Sequence, residues 1–230
     1  MIRKLFSLTF KLLLTATLLL VVTVVALRWL PVPTSSFMLQ SQAAVDYLWI
    51  DWEQMSPQVA LAAIAAEDQR FPEHFGLDLV EIEKALSGEF GPTRGASTIT
   101  QQVAKNLFLW SGRSYVRKGI EAGIALLIEV SWSKERILEV YLNIAQFGDG
   151  VYGVEAASWK FFKRPAATLT KQQAALLAAV LPNPVIYRVD KPQGWTRKKQ
   201  QWILRQMRNL GGVSYLEKLQ VSRKEAKKEA

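Results

Sequence analysis

The sequence contains no cysteine and only one histidine, His74. Without cysteine, disulfide bonds and thiolate-ligated metal centres are excluded. With a single imidazole, a zinc site built from several histidines is excluded as well. Acidic residues are in the minority, at 20 against 29 lysines and arginines, so the formal net charge is +9. This excess points to an anionic partner, which composition leaves open among nucleic acid, phospholipid headgroups and a phosphorylated substrate.

A long apolar run lies at the N-terminus. Between Leu5 and Leu27 the sole charged residue is Lys11. A helix from about Phe10 to Leu30 reaches the ~20 residues that a membrane span needs. Basic residues concentrate before it, which places the N-terminus in the cytoplasm and the rest outside. A cleaved signal peptide, cut after Val24-Val25-Ala26, is the alternative, but the run exceeds the ~7–15 residues usual for one, which favours a retained anchor.

Capping and turn residues divide the remaining chain into segments typical of a mainly α domain, with few strands and no internal repeat. Capping residues and apolar spacing of three to four predict the helices. We expect helices at Pro57 to about Asp68, Asp78 to about Leu86, Thr98 to about Trp110, Ser114 to Val130, Ser133 onward, Val151 to Phe162, Thr170 to before Pro182, and Trp195 to Leu210. The expected divisions are an anchor at 1–30, a linker at 31–44, a domain at 45–222 and a charged tail at 223–230.

Three clusters carry the chemistry. Glu67 and Asp68 end an alanine-rich helix, where the helix dipole disfavours acids and an apolar wall raises a carboxyl pKa, as a general base requires. A glycine-containing loop, Gly88 to Gly95, leads into a capped helix that starts at Thr98, so free backbone N–H groups there suit an anion. Arg117, Lys118 and Glu121 share a helix face by their spacing. Each cluster alone also fits a solvated helix end, an ordinary cap or a surface ion pair.

Taken in order, these clusters resemble a known family. The motifs are Glu67-Asp68-x-x-Phe71-x-x-His74-x-Gly76, Gly95-x-Ser97-Thr98-Ile99-Thr100-Gln101-Gln102, Arg117-Lys118-x-x-Glu121 and Ile137-Leu138-Glu139-x-Tyr141-Leu142-Asn143. The chain is identified as a member of the peptidoglycan glycosyltransferases, family 51, which include the transglycosylase domain of class A penicillin-binding proteins. The similarity covers about Val45 to Tyr187. Because the chain ends at 230, the monofunctional branch is expected.

The resemblance implies a mainly α, lysozyme-like glycosyltransferase domain with a small membrane-proximal jaw, built around an apolar knob at Phe108-Leu109-Trp110. Glu67 and Glu121 are the implied catalytic residues. Glu139 and Asn143 are expected to support the cleft. The implied substrate-binding residues are Asp68, Phe71, His74, Ser97, Thr98, Gln102, Lys105, Arg117 and Lys118.

The implied reaction polymerises lipid II disaccharide-peptides into β-1,4 glycan strands with release of polyprenyl diphosphate. It implies no organic cofactor and leaves open a divalent cation such as Mg2+ near Glu121. The expected location is the cytoplasmic membrane, with the domain on the outer, periplasmic side and other wall-synthesis proteins as further partners. Two alternatives stay open: a lytic enzyme that cuts the same polymer, and a non-catalytic membrane-anchored scaffold.

Three other matches are rejected. Gly148-x-Gly150-x-x-Gly153 fits the dinucleotide fingerprint, but we expect a helix and not a strand before it. Ser131-x-x-Lys134 fits the transpeptidase motif without its downstream Lys-Thr-Gly partner. The basic stretch from Trp195 to Arg208 is interpreted as a solvated helix face, and nucleic acid is not expected as a partner outside the membrane.

Overall fold

The computed structural model describes residues 2–87, 97–112 and 114–220. The predicted loop at Gly88 to Gly95 and the predicted tail at 223–230 lie outside these residues. Ten α-helices occur in the described part: α1 (Ile2–Ala26), α2 (Ser36–Leu39), α3 (Pro57–Glu67), α4 (Leu79–Leu86), α5 (Ile99–Phe108), α6 (Tyr115–Ser131), α7 (Lys134–Ile144), α8 (Val154–Phe162), α9 (Lys171–Val180) and α10 (Gly194–Asn209). The expectation of a mainly α fold is confirmed.

The helix starts follow the predicted caps. Ser56 accepts a hydrogen bond from the backbone of Gln58 and is followed by proline at the first position of α3. Thr98 and Thr170 each form a complete capping box with the glutamine three residues on. Such caps satisfy backbone N–H groups that have no partner inside the helix, so they fix the first turn independently of tertiary packing.

A small sheet replaces part of one predicted helix. Its strands are β1 (Asp46–Tyr47), β2 (Gln146–Gly148) and β3 (Val151–Tyr152), in the order β1-β3-β2. β1 runs parallel to β3, and β2 runs antiparallel to it. The prediction of helix from Val151 was therefore wrong. The helix cannot continue back through Gly153, because that residue has a φ of +83°.

The glycine pattern around the sheet serves close backbone packing. A Cβ on Gly153 would lie 2.6 Å from the carbonyl oxygen of Asn143. A Cβ on Gly150 would collide with the carbonyl oxygen of Ala44. A short strand, β2, does precede the pattern, so the expectation of a helix directly before it was wrong. The glycines nevertheless serve packing, because they let the backbone around β3 approach α7 and the segment before β1.

The core is centred on α3, which packs against α7, α9 and α10. Every residue from Val59 to Ala65 is buried. A helix that is apolar all round must be enclosed by other elements. Its C-terminal residue, Glu67, therefore emerges at the edge of the core and not on an open surface.

Glu139 and Asn143 support the segment that leads into α3. The side chain of Asn143 is fully buried; its Oδ1 accepts from Ile50 N, and its Nδ2 donates to Ile50 O, both at 2.9 Å. Glu139 Oε1 accepts from Trp52 N at 2.9 Å. Both α7 residues thus satisfy backbone groups that would otherwise be buried without partners.

α1 has the length and composition of a membrane span. An 18-residue stretch within Arg3–Ala26 has a mean hydropathy of 2.3, and 6% of this stretch is buried. This low burial distinguishes it from the core helix of a soluble protein. The last turn differs from the rest, because Val24 is fully buried.

The predicted linker is packed against the domain. Val32 and Met38 belong to the hydrophobic core, and the hydroxyl of Tyr47 donates to Val32 O at 2.5 Å. The division expected at Val45 therefore does not coincide with a packing boundary.

The predicted apolar knob is also largely covered. Leu109 is 4% exposed, and its carbonyl accepts from Ser36 Oγ at 2.6 Å and from Gln40 Nε2 at 3.1 Å. Phe108 is half-buried, whereas Trp110 is 49% exposed. The prediction of a three-residue knob was wrong, since α2 covers its middle and only Trp110 is open.

Replacing Gly153 with alanine should destabilise the protein by roughly 1–3 kcal/mol, because the added Cβ meets the Asn143 carbonyl in a backbone conformation that alanine disfavours. Gly194→Ala is the matched control, since no atom lies within 4 Å of its added Cβ. Urea unfolding of both variants measures the difference. Equal stabilities would show that the backbone at Gly153 adapts freely.

Candidate active site

Glu67 is the last residue of α3 and lies against Gln102 of α5. Gln102 Nε2 donates to Glu67 Oε2 at 2.9 Å. Burial raises the pKa of Glu67 above its ordinary value, while the hydrogen bond from Gln102 and the charges of Lys199 and Lys105 oppose the rise. A carboxyl whose pKa is moved toward neutrality is suited to accept a proton as a general base.

The orientation of Gln102 is fixed from behind by Tyr141. The Tyr141 hydroxyl donates to Gln102 Oε1 at 3.4 Å, so the amide presents its nitrogen to Glu67. Tyr141 is buried, and burial raises its pKa well above the usual value, which keeps the hydroxyl protonated as a donor. The sequence pattern places Tyr141 on an apolar helix face and gives no sign of this contact.

Asp68 ties the end of α3 to the start of α5. Its Oδ2 accepts from Ile99 N at 3.0 Å, and His74 Nε2 lies 3.0 Å from both of its oxygens. The side chains of Asp68 and His74 are 4% and 5% exposed, and Phe71 is fully buried. In this structure Phe71 has no accessible surface and the other two residues are engaged with each other, and the contact of these three residues with substrate stays a prediction.

Thr98 is likewise occupied. Its Oγ1 donates to Gly76 O at 2.6 Å and accepts from Gln101 N, and the residue is 3% exposed. The capping role predicted for Thr98 is confirmed, and its contact with substrate stays a prediction. Ser97 is half-buried and accepts from Lys118 Nζ at 2.8 Å. Gly95 of the proposed anion-binding loop lies outside the described residues.

Arg117, Lys118 and Glu121 form a compact cluster on α6. Glu121 Oε2 accepts from Arg117 Nη1 at 2.8 Å, and Oε1 accepts from Lys118 Nζ at 2.5 Å. The side chains of Arg117 and Glu121 are 10% and 3% exposed, but that of Lys118 is 43% exposed. Glu121 thus orients both cations, and Lys118 is the member that presents its charge outward.

Lys105 connects this cluster with Glu67. Burial lowers its pKa, and the charges of Arg117 and Lys118 lower it further. The charge of Glu121, and to a smaller extent that of Glu67, acts in the opposite direction. Lys105 also lines a cavity of about 180 Å³ with Gln102 and Tyr141. The base and the cationic cluster are therefore joined electrostatically through one lysine.

Lys199 is a further cation near Glu67. It lies on α10, its Nζ is 4.0 Å from the ring centroid of Trp202, and its charge lowers the pKa of Glu67. The solvated face that the sequence predicts for this basic stretch thus includes one lysine, Lys199, that is only half-exposed. No local pattern distinguishes Lys199 from its basic neighbours, so only the packing of α10 against α3 could have shown it.

Two groups of acidic residues bear on metal binding. Both oxygens of Glu121 already accept from cations, so the residues around it do not fit a divalent ion. Among the described residues, the group that could hold one is Asp68, His74 and Asp78, whose ligand atoms lie within 4.8 Å of one another. Arg70 Nη1 donates to Asp78 at 2.9 Å and counters the negative charge there.

Comparisons with known proteins show the family of the chain. The transglycosylase family model matches residues 35–208. The chain is similar to the biosynthetic peptidoglycan transglycosylases of Escherichia coli O139:H28 (strain E24377A / ETEC), O9:H4 (strain HS) and K12. Each is 54% identical over 204 residues, which cover 83% of this chain and 84% of the relative.

Glu67→Gln should stabilise the folded protein at neutral pH. Folding raises the pKa of this carboxyl, so the group stabilises the folded protein at a pH below its pKa in the unfolded chain. That stabilisation is lost as the pH rises through the pKa in the folded protein, so the charged form lowers the stability at pH 7. The neutral amide removes that cost, and the Tm should rise. Thermal unfolding at pH 7 measures the gain, with exposed Glu83→Gln as the control; a lower Tm for Glu67→Gln alone would contradict it.

Proposed function

Because the chain belongs to the transglycosylase family, it is a peptidoglycan glycosyltransferase, and we propose that Glu67 is its general base and that Lys105, Arg117 and Lys118 hold the departing diphosphate. The observation that carries this proposal is the arrangement of two residues: Glu67 is half-buried beside Gln102, and Lys105 lines a cavity with Gln102 and interacts electrostatically with Glu67 and with the cluster on α6.

The proposed step is an inverting displacement. Glu67 accepts the proton of the acceptor 4-hydroxyl while the hydroxyl oxygen bonds to the anomeric carbon of the growing strand. The bond from that carbon to the diphosphate breaks, and its electron pair leaves with the polyprenyl diphosphate. Gln102 supports the step by fixing the Glu67 carboxylate in one orientation, since its Nε2 donates at 2.9 Å.

The charge that develops on the leaving group requires preorganised cations. Lys118 is exposed enough to reach it, and Glu121 and Ser97 hold its ammonium in place. Arg117 is held by Glu121 in turn. We therefore assign Glu121 to orienting the two cations rather than to the departing group directly.

The lytic alternative explains less. A hydrolase or lyase acting on the polymer releases no diphosphate, so it has no use for the cluster of Lys105, Arg117 and Lys118. A non-catalytic scaffold likewise gives no reason for a desolvated carboxylate with a fixed orientation.

Membrane anchoring completes the proposal. α1 is long and apolar enough to span a bilayer. Retained as an anchor, with the basic N-terminus in the cytoplasm, it places the domain on the outer face, where lipid II and the growing strand share the same membrane.

Glu67→Gln should abolish polymerisation of a labelled lipid-linked disaccharide-peptide while the fold is kept. The parent enzyme should also lose activity as pH falls through a Glu67 pKa that lies above the ordinary glutamate value, because only the ionised carboxylate accepts a proton. Polymer formation and released polyprenyl diphosphate are measured across pH, with Glu83→Gln as control. Continued polymer formation by Glu67→Gln would refute the assignment of the base.

Lys118→Ala should lower kcat by roughly tenfold to a hundredfold, because one cation that stabilises the departing diphosphate is lost. Lys171→Ala on α9 is the matched control, since this lysine is exposed and lies on a different helix. Steady-state kinetics on the lipid-linked substrate separate kcat from KM. Equal rates for the two variants would show that Lys118 is merely a surface charge.

A further inference from the structure

The end of α1 is fastened by an arginine from another helix. Arg136 of α7 donates from Nε and Nη2 to the carbonyl of Leu27, at 3.1 and 2.8 Å, and from Nη2 also to the carbonyl of Leu30. Carbonyls just beyond the last helical turn lack partners within the helix, and a cation there is favoured by the helix dipole.

A second side chain contacts the last turn of α1. Trp132, between α6 and α7, donates from Nε1 to the carbonyl of Val24 at 2.7 Å. Val24 is fully buried, although α1 as a whole is almost entirely exposed. These contacts hold α1 at its C-terminal end and leave its length free for lipid.

Arg136 is itself held rigidly. Its Nη1 donates to Glu139 Oε2 at 2.6 Å, and its guanidinium lies 5.1 Å from the ring centroid of Trp49. The side chain is 12% exposed. A planar guanidinium held at Nε, Nη1 and Nη2 together has little freedom to rotate.

The same helix supports the catalytic carboxylate. Five residues after Arg136, Tyr141 of α7 donates to Gln102, which donates to Glu67. One rigid element therefore joins the end of the membrane helix to the side chains around the base.

We propose that Arg136 is a positioning residue, which clamps α1 to α7 so that the catalytic cleft stays at a fixed height and tilt above the bilayer. The inference rests on the proposed anchor and lipid-linked substrate. A diphosphate at the membrane surface has a nearly fixed depth, so a flexible tether would leave Glu67 and Lys118 misplaced in most orientations, whereas a rigid one keeps them in reach.

The absence of cysteine allows a direct measurement. Spin labels on cysteines introduced at exposed Leu13 of α1 and exposed Lys171 of α9 report the distance between helix and domain in vesicles. We expect a narrow distribution for the parent, a broad one for Arg136→Gln, and an intermediate one for Arg136→Lys, since a single ammonium cannot bridge both carbonyls and Glu139. Arg188→Lys is the control, because Arg188 forms an exposed bidentate pair with Asp190.

Activity supplies the second readout. Arg136→Gln should polymerise full-length lipid-linked substrate in vesicles roughly tenfold more slowly than the parent, yet use a water-soluble short-chain analogue at an equal rate. Trp132→Phe should act in the same direction and replaces Arg136→Gln if that variant does not fold.

A distance distribution as narrow in the Arg136 and Trp132 variants as in the parent, or an equal loss of activity on both substrates, overturns the proposal. Because the distance measurement needs no turnover, an enzyme that makes no polymer would count against the proposed function and not against the clamp.

Discussion

The hydrogen bond from Gln102 to Glu67 is the interaction on which the site depends. α3 is enclosed by other helices, so its last carboxylate loses much of its hydration and its pKa rises. An unpartnered carboxylate in that position would be driven toward its neutral, inactive form. The single amide donor, with Lys105 and Lys199 near it, keeps the ionised form accessible while leaving it basic.

The surrounding contacts hold Gln102 and Glu67 in position relative to each other. Asp68 joins the end of α3 to the first N–H of α5, and Tyr141 fixes the side-chain amide of Gln102 from α7. Three helices that are distant in the sequence thus meet at one carboxylate. Because Asp68 and His74 are buried in this junction, substitutions there should alter the geometry around Glu67.

The predictable part of the molecule is the part that local chemistry decides. Caps such as Ser56 and Thr98 fix helix starts from a few neighbouring residues, and the motif order identified the family and the base candidate. The burial of Thr98 and the role of Lys199 could not be foreseen, since they depend on which helices pack against the site. The docking of the anchor likewise rests on contacts between residues such as Arg136 and Leu27, 109 positions apart in the chain.

The coupling of Lys105 to both Glu67 and the α6 cluster has a consequence for how the base is activated. In the free protein, the charge of Lys105 lowers the pKa of Glu67 and so weakens it as a base. A diphosphate held by Lys105, as proposed, would neutralise that charge and add negative charge nearby, and both effects raise the pKa of a carboxyl. Provided that Glu67 is still ionised, it then accepts a proton more readily when substrate is in place. The cations that stabilise the leaving group therefore also keep the base weak until the growing strand, whose diphosphate they hold, has bound.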